Sequence, residues 1–144
     1  MGTGTTTGGR VLVVDDHELV REMLREQLTR RGYAVVLAAS GREALALARA
    51  CPPTAVVSDM AMPELSGLAL LRALRHDPRT KAVPFILFTA DRYAALAQAA
   101  REAGALACLP KPDDLERLFA LLAEVVPPAA ATQRAPTSGG PPGG

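Results

Sequence analysis

The chain has 144 residues, 49% of them apolar, and a formal net charge of +1. That is enough chain to bury the core of one domain, and the near-neutral balance gives no electrostatic case for nucleic acid or an anionic membrane. No apolar stretch approaches the ~20 residues of a membrane span, and Met1 to Gly9 lacks the basic and apolar regions of a signal peptide. A cytoplasmic, soluble protein with no membrane partner and no direct nucleic-acid partner is the default expectation.

Residues 1–9 hold only Gly and Thr after Met1 and read as a flexible tail. A first strand is predicted over 10–15. A helix over 17–31 follows, with Leu19, Val20, Met23, Leu24 and Leu28 on one apolar face and Gly32 suited to its C-cap. A strand over 34–38 leads to a helix over 41–50, opened by Ser40-Gly41-Arg42-Glu43 in the pattern of a capping box. The next pair is a strand over 54–59 and a helix over 66–76, with Ser66 as its cap and His76-Asp77-Pro78 as the turn beyond it. Strands over 84–89 and 106–109 flank a helix over 92–103. The last helix, 114–125, buries Leu115, Leu118, Phe119, Leu122 and Val125. Residues 127–144 are half Gly and Pro, with Arg134 the only charge, and read as a flexible, linker-like tail.

Five strands in strict alternation with five helices are the signature of βαβ units. The predicted fold of residues 10–126 is α/β: a doubly wound, five-stranded parallel sheet with helices on both faces. Cys51 and Cys108 lack metal-ligand spacing and read as structural thiols. Lys81 and Lys111 are the only lysines against fourteen arginines, which makes Lys111, between two prolines at a strand end, conspicuous.

In an open parallel sheet, ligands bind beyond the carboxyl ends of the strands. Here Val11 to Val14 stops at Asp15-Asp16, Ala55 to Ser58 at Asp59, Phe85 to Phe88 at Thr89, and Ala105 to Leu109 at Pro110-Lys111-Pro112. A strand order of 2-1-3-4-5 would set Asp59 beside the Asp15-Asp16 pair. Two unit charges 4 Å apart repel by roughly 4 kcal/mol at an effective dielectric near 20. Mg²⁺, an oxygen-seeking ion that binds through one or two carboxylates plus phosphate, would offset that repulsion. For Asp15 and Asp16 alone, capping the following helix is an equal alternative. Thr89 alone reads as a β-branched strand residue, and His17 as an exposed first-turn histidine with metal or phosphodonor contact as its alternative.

The ordered set Val13-Val14-Asp15-Asp16, Asp59-Met60-Ala61-Met62-Pro63 with Gly67, Phe88-Thr89-Ala90, Ala103-Gly104-Ala105 and Leu109-Pro110-Lys111-Pro112 resembles the receiver domains of bacterial two-component response regulators. The resemblance covers about residues 10–126 and implies the flavodoxin-like receiver fold. It implies that Asp59 accepts a phosphoryl group from a histidine kinase or histidine phosphotransfer protein. It further implies Mg²⁺ bound by Asp16 directly, Asp15 through water, Asp59 and the Ala61 carbonyl, with Lys111 and Thr89 on the phosphoryl oxygens. It also implies a cis Lys111-Pro112 bond, and an output surface over 92–125 that meets a downstream protein, with the chain a monomer or weak dimer. In this reading the protein is no enzyme beyond its own phosphorylation and dephosphorylation.

Three positions, Ser66, Cys108 and Asp113, depart from the family pattern, with Ser66 replacing a common acidic residue before Gly67. Cys108 stands where many receivers carry Tyr or Phe, which puts the usual coupling of Thr89 to a rotating ring in doubt. Asp113 follows Lys111-Pro112 where an apolar residue is frequent, and reads as an N-cap with Glu116 three residues on. Asp91 sits two residues past Thr89, where it either orients hydrolytic water or caps the helix. The leading expectation is a stand-alone receiver. The alternatives are a receiver piece of a longer regulator or a phosphorylation-independent binding module. A hydrolytic phosphatase would want Asp-x-Asp where this chain has Asp15-Asp16-His17.

Overall fold

A computed structural model describes residues 9–91 and 94–126. Its elements are β1 (Arg10–Val14), α1 (Glu18–Arg30), β2 (Ala34–Ala38), α2 (Gly41–Ala50), β3 (Ala55–Ser58), α3 (Gly67–Arg75), β4 (Phe85–Thr89), α4 (Ala94–Glu102), β5 (Ala107–Pro110) and α5 (Leu115–Val125). The strands form one parallel sheet in the order β2-β1-β3-β4-β5, as predicted. The expected tails, 1–9 and 127–144, lie outside the described residues except for Gly9, as do residues 92 and 93 of the fourth helix. Among the described residues no helix is long and apolar enough to cross a membrane.

The apolar strands are buried on both faces because helices cover both. Successive side chains alternate, so Val11, Val13, Val57, Ile86 and Phe88 meet Leu24 and Leu28 of α1 and Leu118, Phe119 and Leu122 of α5. Leu12, Val14, Val56, Phe85 and Leu87 meet Ala44 and Ala48 of α2, Leu70, Leu71 and Leu74 of α3, and Ala100 of α4. In α5, Leu115 and Val125 are only partly buried at the margin of the first cluster.

The helix ends follow from local chemistry. Gly32, at φ +96°, lies past the end of α1, where its N–H reaches Thr29 and the Tyr33 N–H reaches Leu28, closing a Schellman motif. Ser40 accepts from the Glu43 N–H, while Glu43 reaches back to the Ala39 N–H, one residue before the Ser40 amide that a capping box engages. Ser66 accepts from the Ala69 N–H and caps α3 as expected.

Two expectations are corrected. Leu19 is 84% exposed instead of sharing the apolar face of α1. At 3.6 residues per turn it lies about 140° around the helix from Leu24, so it points to solvent. The N-cap of α5 is Asp114, not Asp113, and its side chain makes no cap hydrogen bond. The Pro110 carbonyl accepts the Asp114 N–H, so the chain turns over Lys111 to Asp113 before the helix begins.

These two leucines offer a direct contrast. Leu118, fully buried, is expected to cost about 2–5 kcal/mol on replacement by Ala. Leu19→Ala should stay within about 0.5 kcal/mol of the parent. Urea unfolding of both variants measures the difference; equal losses would contradict the packing.

Candidate functional site: an acidic pocket at the carboxyl edge of the sheet

β1 and β3 are neighbours with Val14 opposite Ser58, so the next residues of both strands, Asp15 and Asp59, emerge side by side. The Asp59 N–H donates to the Val14 carbonyl at 2.8 Å and fixes that register past the strand ends. Asp15 and Asp59 are buried, whereas the Asp16 side chain sits at the rim with 30% exposure. Strand alternation gives the adjacent carboxylates these different depths. Ligand atoms of Asp15, Asp16, His17 and Asp59 all lie within 4.8 Å of one another.

Lys111 closes the pocket from the far side. Its backbone N–H donates to the Thr89 carbonyl at 2.9 Å, and the Lys111-Pro112 peptide is cis. Its ammonium donates to Asp15 Oδ2 at 2.6 Å and stands 3.4 Å from Asp59 Oδ1. Thr89, the last residue of β4, is buried, and its Oγ1 accepts from the Asp91 N–H at 3.1 Å. Ala61 lies two residues past Asp59 in the loop to α3 and is exposed.

The loop after β3 holds the Asp59 main chain and side chain together. The Met60 N–H donates to Asp59 Oδ1 at 2.8 Å, and the buried Ser58 hydroxyl donates to the Asp59 carbonyl at 2.8 Å. The Leu65 N–H reaches the Pro63 carbonyl at 2.7 Å across Glu64, whose φ of +69° makes this a γ-turn. Gly67 opens α3 against this loop; a Cβ there would lie 2.1 Å from the Asp59 carbonyl oxygen and 2.8 Å from a Leu87 methyl. Gly67 is thus a backbone permission at the start of the helix, and the atoms it makes room for are those of the Asp59 main chain. A glycine placed directly after a Ser cap was the available signal for this close approach.

Burial is the main influence on the Asp59 carboxyl and pushes its pKa above the usual value; Lys111 opposes the rise and Asp15 adds to it. The donor set suits a hard divalent cation. Three carboxylates gather within 4.8 Å of one another against the Lys111 ammonium, and a cation between them would balance the remaining negative charge.

His17 occupies the N-cap position of α1 and is exposed, as expected, and makes no side-chain cap bond. Its ring nevertheless turns toward the acids. Asp15 and Asp16 therefore do not cap α1 at the N-cap position, although Asp15 Oδ1 accepts the His17 N–H at 2.9 Å. Cys51 and Cys108 are both free thiols. Cys51 is exposed, and its sulfur accepts from Arg10 at 2.7 Å. Cys108 is half-buried in β5, where burial chiefly pushes the thiol pKa up, with Asp91 adding and Arg101 opposing. A thiol so shifted holds little reactive thiolate, which weighs against a redox role.

The profile of the response regulator receiver domain matches residues 11–123. The chain belongs to that family. Response regulator MprA of Mycolicibacterium vanbaalenii is 46% identical over 111 residues, which are 77% of this chain and 47% of that protein. MprA of Mycobacterium avium is 43% identical over 111 residues, 77% of this chain and 48% of that protein. The chain thus spans about half the length of the curated relatives it matches. Among solved structures, the chemotaxis protein CheY4 of Vibrio cholerae superposes with a TM-score of 0.75 at 34% identity, over 81% of this chain and 97% of that one. The receiver domain of a histidine kinase from Syntrophus aciditrophicus gives 0.75 at 28% identity, over 90% and 96%. This receiver therefore has relatives both within longer regulators and in solved chains scarcely longer than the fold itself.

Two outcomes follow from this geometry. Gly67→Ala is expected to cost about 1–3 kcal/mol as the Cβ forces the start of α3 off the Asp59 main chain. Thermal melts beside a substitution at exposed Ala61 test it, and equal melting points would refute the contact. Asp59→Asn in metal-free buffer should be more stable than the parent at neutral pH. The folded-state pKa is raised, so the penalty on folding grows as the pH climbs from the unfolded value to the folded one and is full above it, and the gain vanishes below the unfolded value. A variant that melts lower at pH 7 would contradict this sign.

Proposed function

We propose that this receiver is a phosphoacceptor response regulator in which the Asp59 carboxylate takes a phosphoryl group from a phosphohistidine on a histidine kinase or histidine phosphotransfer protein. The observation that carries it is Lys111 reaching across the pocket to Asp15 and Asp59, with ligand atoms of Asp15, Asp16 and Asp59 gathered within 4.8 Å. Phosphoryl transfer asks little covalent chemistry of a protein and depends on positioning and charge stabilisation.

In this reading Asp59 Oδ attacks phosphorus, the phosphorus–nitrogen bond breaks, and the imidazole leaves with a proton. Asp16, Asp59 and the Ala61 carbonyl would hold Mg²⁺, with Asp15 behind them, and the ion would supply neutralisation of charge on the phosphoryl oxygens. Lys111 pairs with one phosphoryl oxygen. Thr89 gives its hydroxyl to another, moving away from the Asp91 N–H that it now accepts. That displacement would bias the 92–125 face toward a downstream protein. Because Cys108 has little volume to move, Thr89 and the backbone carry the readout.

The folded unit is taken as residues 10–126, with 1–9 and 127–144 as tails. The protein acts in the cytoplasm as a single-domain regulator, monomeric or weakly dimeric, and turns over no substrate other than its own aspartyl phosphate. The twofold length of the MprA relatives favours a second reading, in which this receiver is one part of a longer regulator. The pocket chemistry is the same in both.

Incubation with acetyl phosphate and Mg²⁺, read by intact mass, tests the proposal. One added phosphoryl group is expected in the parent, none in Asp59→Asn, and none without Mg²⁺. Asp16→Ala should lose both labelling and the thermal stabilisation that Mg²⁺ gives by binding the folded state. Normal labelling of Asp59→Asn would overturn the assignment.

A further inference from the structure

The rim of the pocket brings a nitrogen atom to the acids. His17 Nδ1 lies 3.1 Å from Asp15 Oδ1 and 3.2 Å from Asp16 Oδ1. Neighbouring ligands of an octahedral ion with bonds of 2.0–2.1 Å stand about 3.0 Å apart, and those of tetrahedral zinc about 3.3 Å. Both observed separations fall between these values, so Nδ1 stands from each oxygen at the spacing of neighbouring ligands of one ion.

The ring is held there by its own main chain. The His17 N–H donates to Asp15 Oδ1 at 2.9 Å, the same oxygen that faces the ring. The other oxygen of Asp15 is taken by Lys111 at 2.6 Å, which leaves Oδ1 turned toward His17 and Asp16. The His17 side chain is 68% exposed, so an ion can reach it from solvent without rearrangement of the core. Hard Mg²⁺ gains little from an imidazole, whereas Zn²⁺, Co²⁺ and Ni²⁺ take one readily.

We propose that His17 Nδ1 is a ligand of the divalent cation held by Asp16 and Asp59, with Asp15 behind it, and that it turns an oxygen site for Mg²⁺ into one that also takes Zn²⁺-like ions. This rests on the receiver reading above, because it assigns His17 to the same cation. On binding, Nδ1 gives up its hydrogen bond with Asp15 and presents a lone pair, with the ring proton on Nε2. The consequence is regulatory: a transition metal held by nitrogen and oxygen would compete with Mg²⁺ at the phosphorylation site.

Calorimetric titration of the parent and His17→Ala with Zn²⁺ and, separately, Mg²⁺ tests it. Imidazole ¹⁵N NMR of the parent gives a second readout, simplified because His17 and His76 are the only histidines. The variant keeps its fold, since the His17 side chain makes no cap bond. Zn²⁺ affinity should fall by about tenfold or more, at least what loss of an outer-shell partner costs, with Mg²⁺ affinity changed by less than about twofold. The His17 Nδ1 resonance should shift on Zn²⁺ addition while that of His76 stays. Equal Zn²⁺ affinity in the variant, or an unmoved His17 resonance, would overturn the proposal; with Mg²⁺-dependent labelling of Asp59 intact, the receiver reading survives. A parent that binds neither ion and accepts no phosphoryl group would overturn both.

Discussion

Carboxylates of like charge are crowded at one edge of the sheet, and Lys111 stands among them. Asp15 and Asp59 leave adjacent strands at the same height, so the topology alone forces their proximity. At 4 Å such a pair repels by roughly 4 kcal/mol if the effective dielectric is about 20. The ammonium at 2.6 Å from Asp15 and 3.4 Å from Asp59 opposes this, and at Asp59 its pull outweighs the push of Asp15. Burial still dominates at Asp59 and leaves its carboxyl harder to ionise than a free one. Three carboxylates against one ammonium leave an acidic pocket whose donor set suits a divalent cation.

The rest of the fold serves to hold that crowding still. β1, β3 and β4 are buried on both faces, so the strand ends have no freedom to spread. The Lys111 N–H is pinned to the Thr89 carbonyl, which ties the cation to the strand that carries the hydroxyl. Asp59 is held from the front by the Met60 N–H and from behind by Ser58 and the close approach of Gly67. Preorganisation of this kind places the stabilising charges before reaction, which is where electrostatic catalysis draws its strength.

Much of this was legible from residue order. Alternating runs predicted every element, and capping residues such as Ser66 marked helix starts. The succession of Asp15-Asp16, Asp59, Thr89 and Lys111 at strand ends marked one candidate site. The misreadings have local causes. Leu19 was grouped with its helix face by type, although its angle around α1 turns it to solvent. Asp113 has a capping residue's chemistry, but the turn over Lys111 to Asp113 delays α5 until Leu115. Gly67 was visible as a letter, while what it meets, the Asp59 carbonyl and a Leu87 methyl, depends on chain brought in from elsewhere.

The division has a physical reason. Periodicity, caps and breakers act within a few residues along the chain, so the sequence by itself determined the α/β alternation and which residue types stop each strand. Distances between groups far apart in the chain are set by strand order and helix packing. Only the tertiary structure decided that Lys111 bridges Asp15 across 96 positions of sequence, that Asp15 is buried while Asp16 stands at the rim, and that a glycine must face the Asp59 carbonyl.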